Sequence, residues 1–249
     1  MPYQYALERP DYTDLAAGQV FYSAPGYPAF PVRLASEIFL RCQVVRRPGS
    51  EPVVLYDPCC GAGYLLSVLA CLHGENIRTL AASDIDARAV ELARLNLGLL
   101  QPGGLRARQA QLERDLAAYG KESHREALAS AARLSGRVDE LARLGLPPAQ
   151  VFAASALDGP ALAAGLAGLH PDLVICDVPY GQHSAWRTPG GPAPAEPLPA
   201  MLAALSGVLA PGGVVAIASD KGQKAAHPHY RRVDRFQLGK RRVEFFQIN

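Results

Sequence analysis

The chain alternates apolar runs with helical stripes. Near the N-terminus, residues 1–50 are rich in proline and aromatics, and the spacing of Leu34, Ile38 and Phe39 predicts a helix over Arg33–Val45. Val53-Val54-Leu55-Tyr56, closed by Asp57-Pro58, has the pattern of a buried strand. Leu65, Leu66, Leu69 and Leu72 predict a helix over Tyr64–His73. Thr79–Ser83 predicts a second strand closed by Asp84, and Ala87–Leu100 a second helix. The alternation then stops. Over 101–150, Leu112, Leu116 and Tyr119 fit one helix ended by Gly120, and Leu134, Val138, Leu141 and Leu144 fit another. Pro102-Gly103-Gly104 and Pro147-Pro148 bound this pair. Strands resume at Val151–Ala154 and at Leu173–Cys176, closed by Asp177. A proline- and glycine-rich loop precedes a helix over Leu198–Leu209, ended by Pro211-Gly212-Gly213, and a strand over Val214–Ser219. Arg232–Leu238 and Arg242–Ile248 flank Gly239-Lys240 as a closing hairpin.

Strands alternating with helices imply an α/β fold: a doubly wound, seven-stranded and mostly parallel sheet with helices on both faces. The expected organisation is one domain over 1–249. It carries an N-terminal extension (1–50) and a helical insertion (101–150) between the second helix and the third strand.

Composition narrows the setting. Of 249 residues, 49% are hydrophobic, enough for a sizeable core. No apolar run reaches the ~18 residues of a membrane span. The N-terminus lacks the apolar region of a signal peptide, so the expectation is a cytoplasmic, monomeric protein. Cys42, Cys59, Cys60, Cys71 and Cys176 form no CxxC pair, so no metal is expected and the thiols read as small buried groups. A net charge of +2 does not by itself announce a nucleic-acid partner.

The chemistry lies at the strand ends. Gly61-Ala62-Gly63 between a strand and a helix lets backbone approach a ligand, and the helix N-terminus suits a carboxylate or a phosphate. Leu66 stands where a dinucleotide fingerprint has its third glycine. Asp57 at the strand end suits a sulfonium and an ammonium group, and makes no sense beside pyrophosphate. Asp84 lies where doubly wound folds place an acid on ribose hydroxyls, whereas Asp86 reads as a helix cap. Asp177-Val178-Pro179-Tyr180-Gly181 follows the fourth strand. Asp177 and the Val178 carbonyl suit an acceptor nitrogen, Pro179 stiffens the turn, and Tyr180 suits stacking on a base.

Asp57–Gly63, Ser83–Asp86 and Asp177–Gly181 resemble the cofactor, ribose and (D/N)-P-P-Y motifs of class I (Rossmann-like) amino-methyltransferases. With Ser23–Ala35 added, most of the chain resembles the AviRa family of avilamycin-resistance rRNA methyltransferases; Ser23–Ala35 is the most specific part, because general methyltransferases lack it. The resemblance implies S-adenosylmethionine as cofactor, held by Asp57, Cys59, Gly61, Gly63, Asp84, Ile85, Ser155 and Asp177. It implies Asp177, Pro179 and Tyr180 as the catalytic set. It also implies methylation of a guanine nitrogen, N1 or N2, in 23S rRNA or the large ribosomal subunit, with resistance to orthosomycin antibiotics.

Two departures stand out. Val178 replaces the first proline of D-P-P-Y. The position that normally offers an acid to adenine holds Ser155, with Asp158 as the other candidate. Cys59 and Cys60 raise a covalent mechanism, but they lie in the cofactor turn and Tyr180 occupies the target-base motif. For RNA contact, residues 221–242 hold Lys221, Lys224, Arg231, Arg232, Arg235, Lys240, Arg241 and Arg242 against the single acid Asp234. His183, Trp186 and Arg187 suit a flipped base, although Trp186 would equally cover the core. Arg33 suits the cofactor carboxylate or an RNA phosphate. The insertion is nearly balanced in charge, close to an ordinary solvated pair. The alternatives are a DNA adenine or protein glutamine methyltransferase, and a non-catalytic RNA-binding module.

Overall fold

The structure, a computed structural model, describes residues 3–46, 51–179, 186–188, 191 and 194–249. Its centre is a seven-stranded sheet of order β3-β2-β1-β4-β5-β7-β6. The strands are β1 (Val53–Asp57), β2 (Ile77–Asp84), β3 (Ala149–Ala153), β4 (Leu173–Asp177), β5 (Val214–Ser219), β6 (Tyr230–Leu238) and β7 (Arg241–Ile248). The first five are parallel, and the terminal hairpin adds β7 and β6 antiparallel.

Alternation along the strands sorts the core into two layers. Leu55, Leu80, Ile175, Ala216 and Phe245 point to α1 (Val32–Arg46), α2 (Tyr64–His73) and α3 (Ala87–Gly98). Tyr56, Ala81, Val174, Cys176, Ile217 and Phe246 point to α6 (Gly159–Leu166) and α7 (Pro197–Ser206). Helix α6 was not anticipated from sequence, and α7 stops three residues before the expected Leu209.

The insertion folds as α4 (Gly104–Tyr119) and α5 (Glu122–Leu144). Leu112, Leu134 and Val138 bury into the first layer as expected, while Tyr119 and Leu144 are exposed. Three of its arginines tie it to the rest of the fold. Arg108 donates to the Val20 and Gln19 carbonyls, Arg133 pairs with Asp14, and Arg137 reaches the Cys71 and Leu72 carbonyls at the end of α2. The N-terminal extension is pinned at its start too. Buried Glu37 accepts backbone N–H bonds from Gln4, Tyr5 and Ala6 and pairs with Arg41, which also reaches Asp234 on β6.

Candidate active site

Parallel strands deliver their C-terminal ends to one edge, and a cleft of about 520 Å³ opens there. The ends of β1, β2 and β4 supply Asp57, Asp84 and Asp177. Asp57 is 2% exposed, and its Oδ1 accepts the Cys59 N–H at 3.0 Å. Burial pushes its carboxyl well above the usual range, and the charges of Asp84 and Asp177 add to the rise. Burial also raises Asp84, whose oxygens accept the N–H groups of Gly61 and Asp86 at 2.9 Å each. Three acids converging on one cavity favour a cationic ligand.

Four N–H groups of the turn after β1 have protein acceptors. Cys59, Cys60, Gly61 and Gly63 donate their N–H groups to Asp57, Ser83, Asp84 and Cys60. Four of the N–H groups expected to greet an anion are therefore already committed. The two glycines differ in role. Gly61 (φ +51°) lines the cleft beneath Tyr27. Gly63 (φ +71°) lies outside the lining, and a Cβ there would meet Ala93 Cα at 2.9 Å. The close approach of α2 to α3 by itself requires glycine there.

Cys59, Ile85 and Ser155 line the cleft as expected. Ser155 Oγ accepts the Leu157 N–H and donates to the Arg187 carbonyl, whereas Asp158 caps α6 through the Ala161 N–H. Burial drives the Cys59, Cys60 and Cys176 thiols well above their ordinary pKa, so they stay neutral and make poor nucleophiles. Asp86 caps α3 and accepts the Tyr27 hydroxyl at 2.9 Å.

Past β4, Asp177, Val178 and Pro179 line the cleft; Tyr180, Gly181 and His183 lie outside the described residues. The Pro179 carbonyl accepts a bond from Gln223 Nε2 at 2.7 Å. Trp186 and Arg187 line the cleft, where the Arg187 carbonyl accepts the Ser155 hydroxyl and the Arg187 charge acts on Asp86.

The basic stretch 221–242 does not form one patch. Arg241 reaches into the cleft, 3.9 Å from Asp177 and 5.4 Å from the Phe30 ring centroid. Lys221, Lys224 and Lys240 are exposed; Lys221 and Lys240 lie by this edge, next to Arg242. Arg231 and Arg232 sit at the start of β6, about 20 Å away along the strand, with Arg232 paired to Glu244. Arg33 points elsewhere: it donates to the Ala6 and Leu7 carbonyls and stacks on Tyr3. Sequence reasoning did not assign Tyr27 or Gln223. Tyr27 lay within the Ser23–Ala35 stretch, whereas nothing local marks Gln223. Among the described residues, no group of three or more His, Cys, Asp or Glu side chains could hold a metal.

A family model described as rRNA methyltransferase AviRa matches residues 1–241. The chain belongs to the AviRa family. A relative from Streptomyces viridochromogenes, named 23S rRNA (guanine(2535)-N(1))-methyltransferase, is 44% identical over 239 residues, covering 96% of this chain and 93% of its own. The solved AviRa structure from the same organism superposes with a TM-score of 0.87 at 42% identity, covering 98% of this chain and 96% of that one. TrmN from Thermus thermophilus shares the fold, with a TM-score of 0.51 at 16% identity over 89% of this chain and 50% of its own. The Rossmann-like methyltransferase architecture is therefore present, and the match to the AviRa structure spans nearly the whole chain.

Proposed function

We propose that this AviRa-family chain, one methyltransferase domain over 1–249, methylates N1 of a guanine in 23S rRNA with S-adenosylmethionine as donor. The observation that carries the reading is the convergence of Asp57, Asp84 and Asp177 around one cleft beside Gly61. The donor set fits. Buried Asp57 favours an ammonium, Asp84 offers the ribose hydroxyls its remaining lone pairs, and Ser155 and Ala156 border the adenine end.

S-adenosylmethionine supplies an electrophilic methyl group on a sulfonium. The chain's own residues prepare the acceptor. Guanine N1 carries a proton and has no free in-plane lone pair, so that proton must leave as the N1–carbon bond forms. We assign that proton to Asp177, which lines the cleft. Val178 lines the same cleft, and its N–H is fixed to the Ala218 carbonyl at 3.1 Å. Tyr180 is assigned the stacking role on sequence grounds. Catalysis is then mainly positioning and water exclusion.

The test is transfer of labelled methyl to 23S rRNA, followed by primer extension. A methyl on N1 blocks the Watson–Crick edge and arrests the polymerase, whereas a single N2 methyl does not. Label on duplex DNA or protein instead of rRNA sinks the reading. The same reading assigns orthosomycin resistance, measured as drug tolerance in cells with and without the gene.

A further inference from the structure

We infer that Arg241, on the terminal hairpin, receives the carboxylate of the methyl donor's amino-acid head group. The inference rests on reading the cleft as a methyl-donor site. An amino-acid head group presents an ammonium and a carboxylate two bonds apart, so its binding site needs both signs side by side. Among the described residues the cleft is lined by two cations. Arg187 sits at the nucleoside end, where its charge acts on Asp86 and its carbonyl accepts the Ser155 hydroxyl. Arg241 sits at the other end, with its Nε 3.9 Å from Asp177 Oδ1 and its guanidinium facing Phe30. Asp57 and Asp177 supply the anionic half of that end, and Arg241 the cationic half.

Two other sets of donors are already engaged. Arg33 is committed to the Ala6 and Leu7 carbonyls. The N–H groups of Cys59, Cys60, Gly61 and Gly63 already have protein acceptors. A guanidinium has five donors in a planar fork, so it engages a carboxylate while staying beside Asp177. The position also has a topological reason. Pairing of Ser219 with Arg242 brings the hairpin turn to the edge where β4 and β5 end.

The experiment is calorimetric binding of S-adenosylhomocysteine and of 5′-methylthioadenosine, which keeps the nucleoside and thioether but lacks the head group. Arg241→Gln should weaken S-adenosylhomocysteine about ten- to a hundredfold, the range of a lost charge-assisted bond, and leave methylthioadenosine within about twofold. Arg241→Lys should recover most of the difference. Equal S-adenosylhomocysteine affinity in wild type and Arg241→Gln overturns the inference. A rise in KM for RNA alone would then assign Arg241 to a phosphate. If Arg241→Gln loses both ligands, Arg241→Lys decides: an unrestored ratio of the two affinities also overturns it. Failure of wild type to bind S-adenosylhomocysteine at all would instead sink the methyl-donor reading.

Discussion

The turns after β1 and β4 border the same cleft but are built in opposite ways. Within Asp57–Gly63, four N–H groups find acceptors in the span itself, at Asp57 and Cys60, or on adjacent β2, at Ser83 and Asp84, and the lead acid is 2% exposed. The turn after β4 depends on remote chain. Gln223 holds Pro179, Arg241 flanks Asp177, and the Asp177 side chain is 23% exposed. A donor that is the same on every turnover suits a preorganised seat. An acceptor embedded in a large RNA needs a side that can admit it.

The sharpest way to break this contrast is Gly63→Ala. Positive φ and the 2.9 Å approach to Ala93 Cα leave no room for a methyl group. A loss of about 2–4 kcal/mol in urea unfolding is expected, and a loss below about 1 kcal/mol would show that the helix pair yields. Asp177→Asn should do the reverse. Methyl transfer should fall at least a hundredfold, with unfolding free energy within about 1 kcal/mol because the carboxylate is partly exposed. Single-turnover rates near wild type would remove Asp177 from proton transfer. Gln223→Ala should cost about 1 kcal/mol and a few-fold in rate, since one hydrogen bond to the acceptor turn is lost. Unchanged activity would mean that the turn holds without it.

The smallest effect concerns pH. A carboxyl whose pKa is higher in the folded protein binds extra protons there. Its contribution to stability is present below the unfolded value near 3.8 and is lost as pH rises through the folded value. Asp57→Asn removes that loss. The variant should therefore gain on wild type as pH rises from the unfolded value near 3.8 towards the folded one, read from unfolding curves without ligand. Parallel curves would show that Asp57 titrates normally.

Most of the sheet was legible because its strands are continuous apolar runs ended by an acid, a pattern both local and strong. Helix α6 was not. Its segment begins with Gly159-Pro160 and carries Gly165, residues that argue against a helix, although Asp158 as a cap and proline at the start were available signals. Asp57, Asp84 and Asp177 were visible because strand ends locate them. Arg33 was misplaced because its partners, the carbonyls of residues 6 and 7, are set by the path of the extension and not by spacing. The basic stretch read as one surface because sequence proximity hides strand direction. Arg231 and Arg241 lie ten positions apart but at opposite ends of a hairpin.

Trp186 is the sole tryptophan of the chain, and its indole forms part of the cleft wall beside Ser155. Its Nε1 is enclosed, without a hydrogen-bond partner among the described residues. Ultraviolet emission from the whole protein therefore originates almost entirely at one wall of the cleft. Occupancy of the cleft should change its intensity and colour with no label attached, and a stopped-flow trace of that light would time ligand arrival separately from methyl transfer.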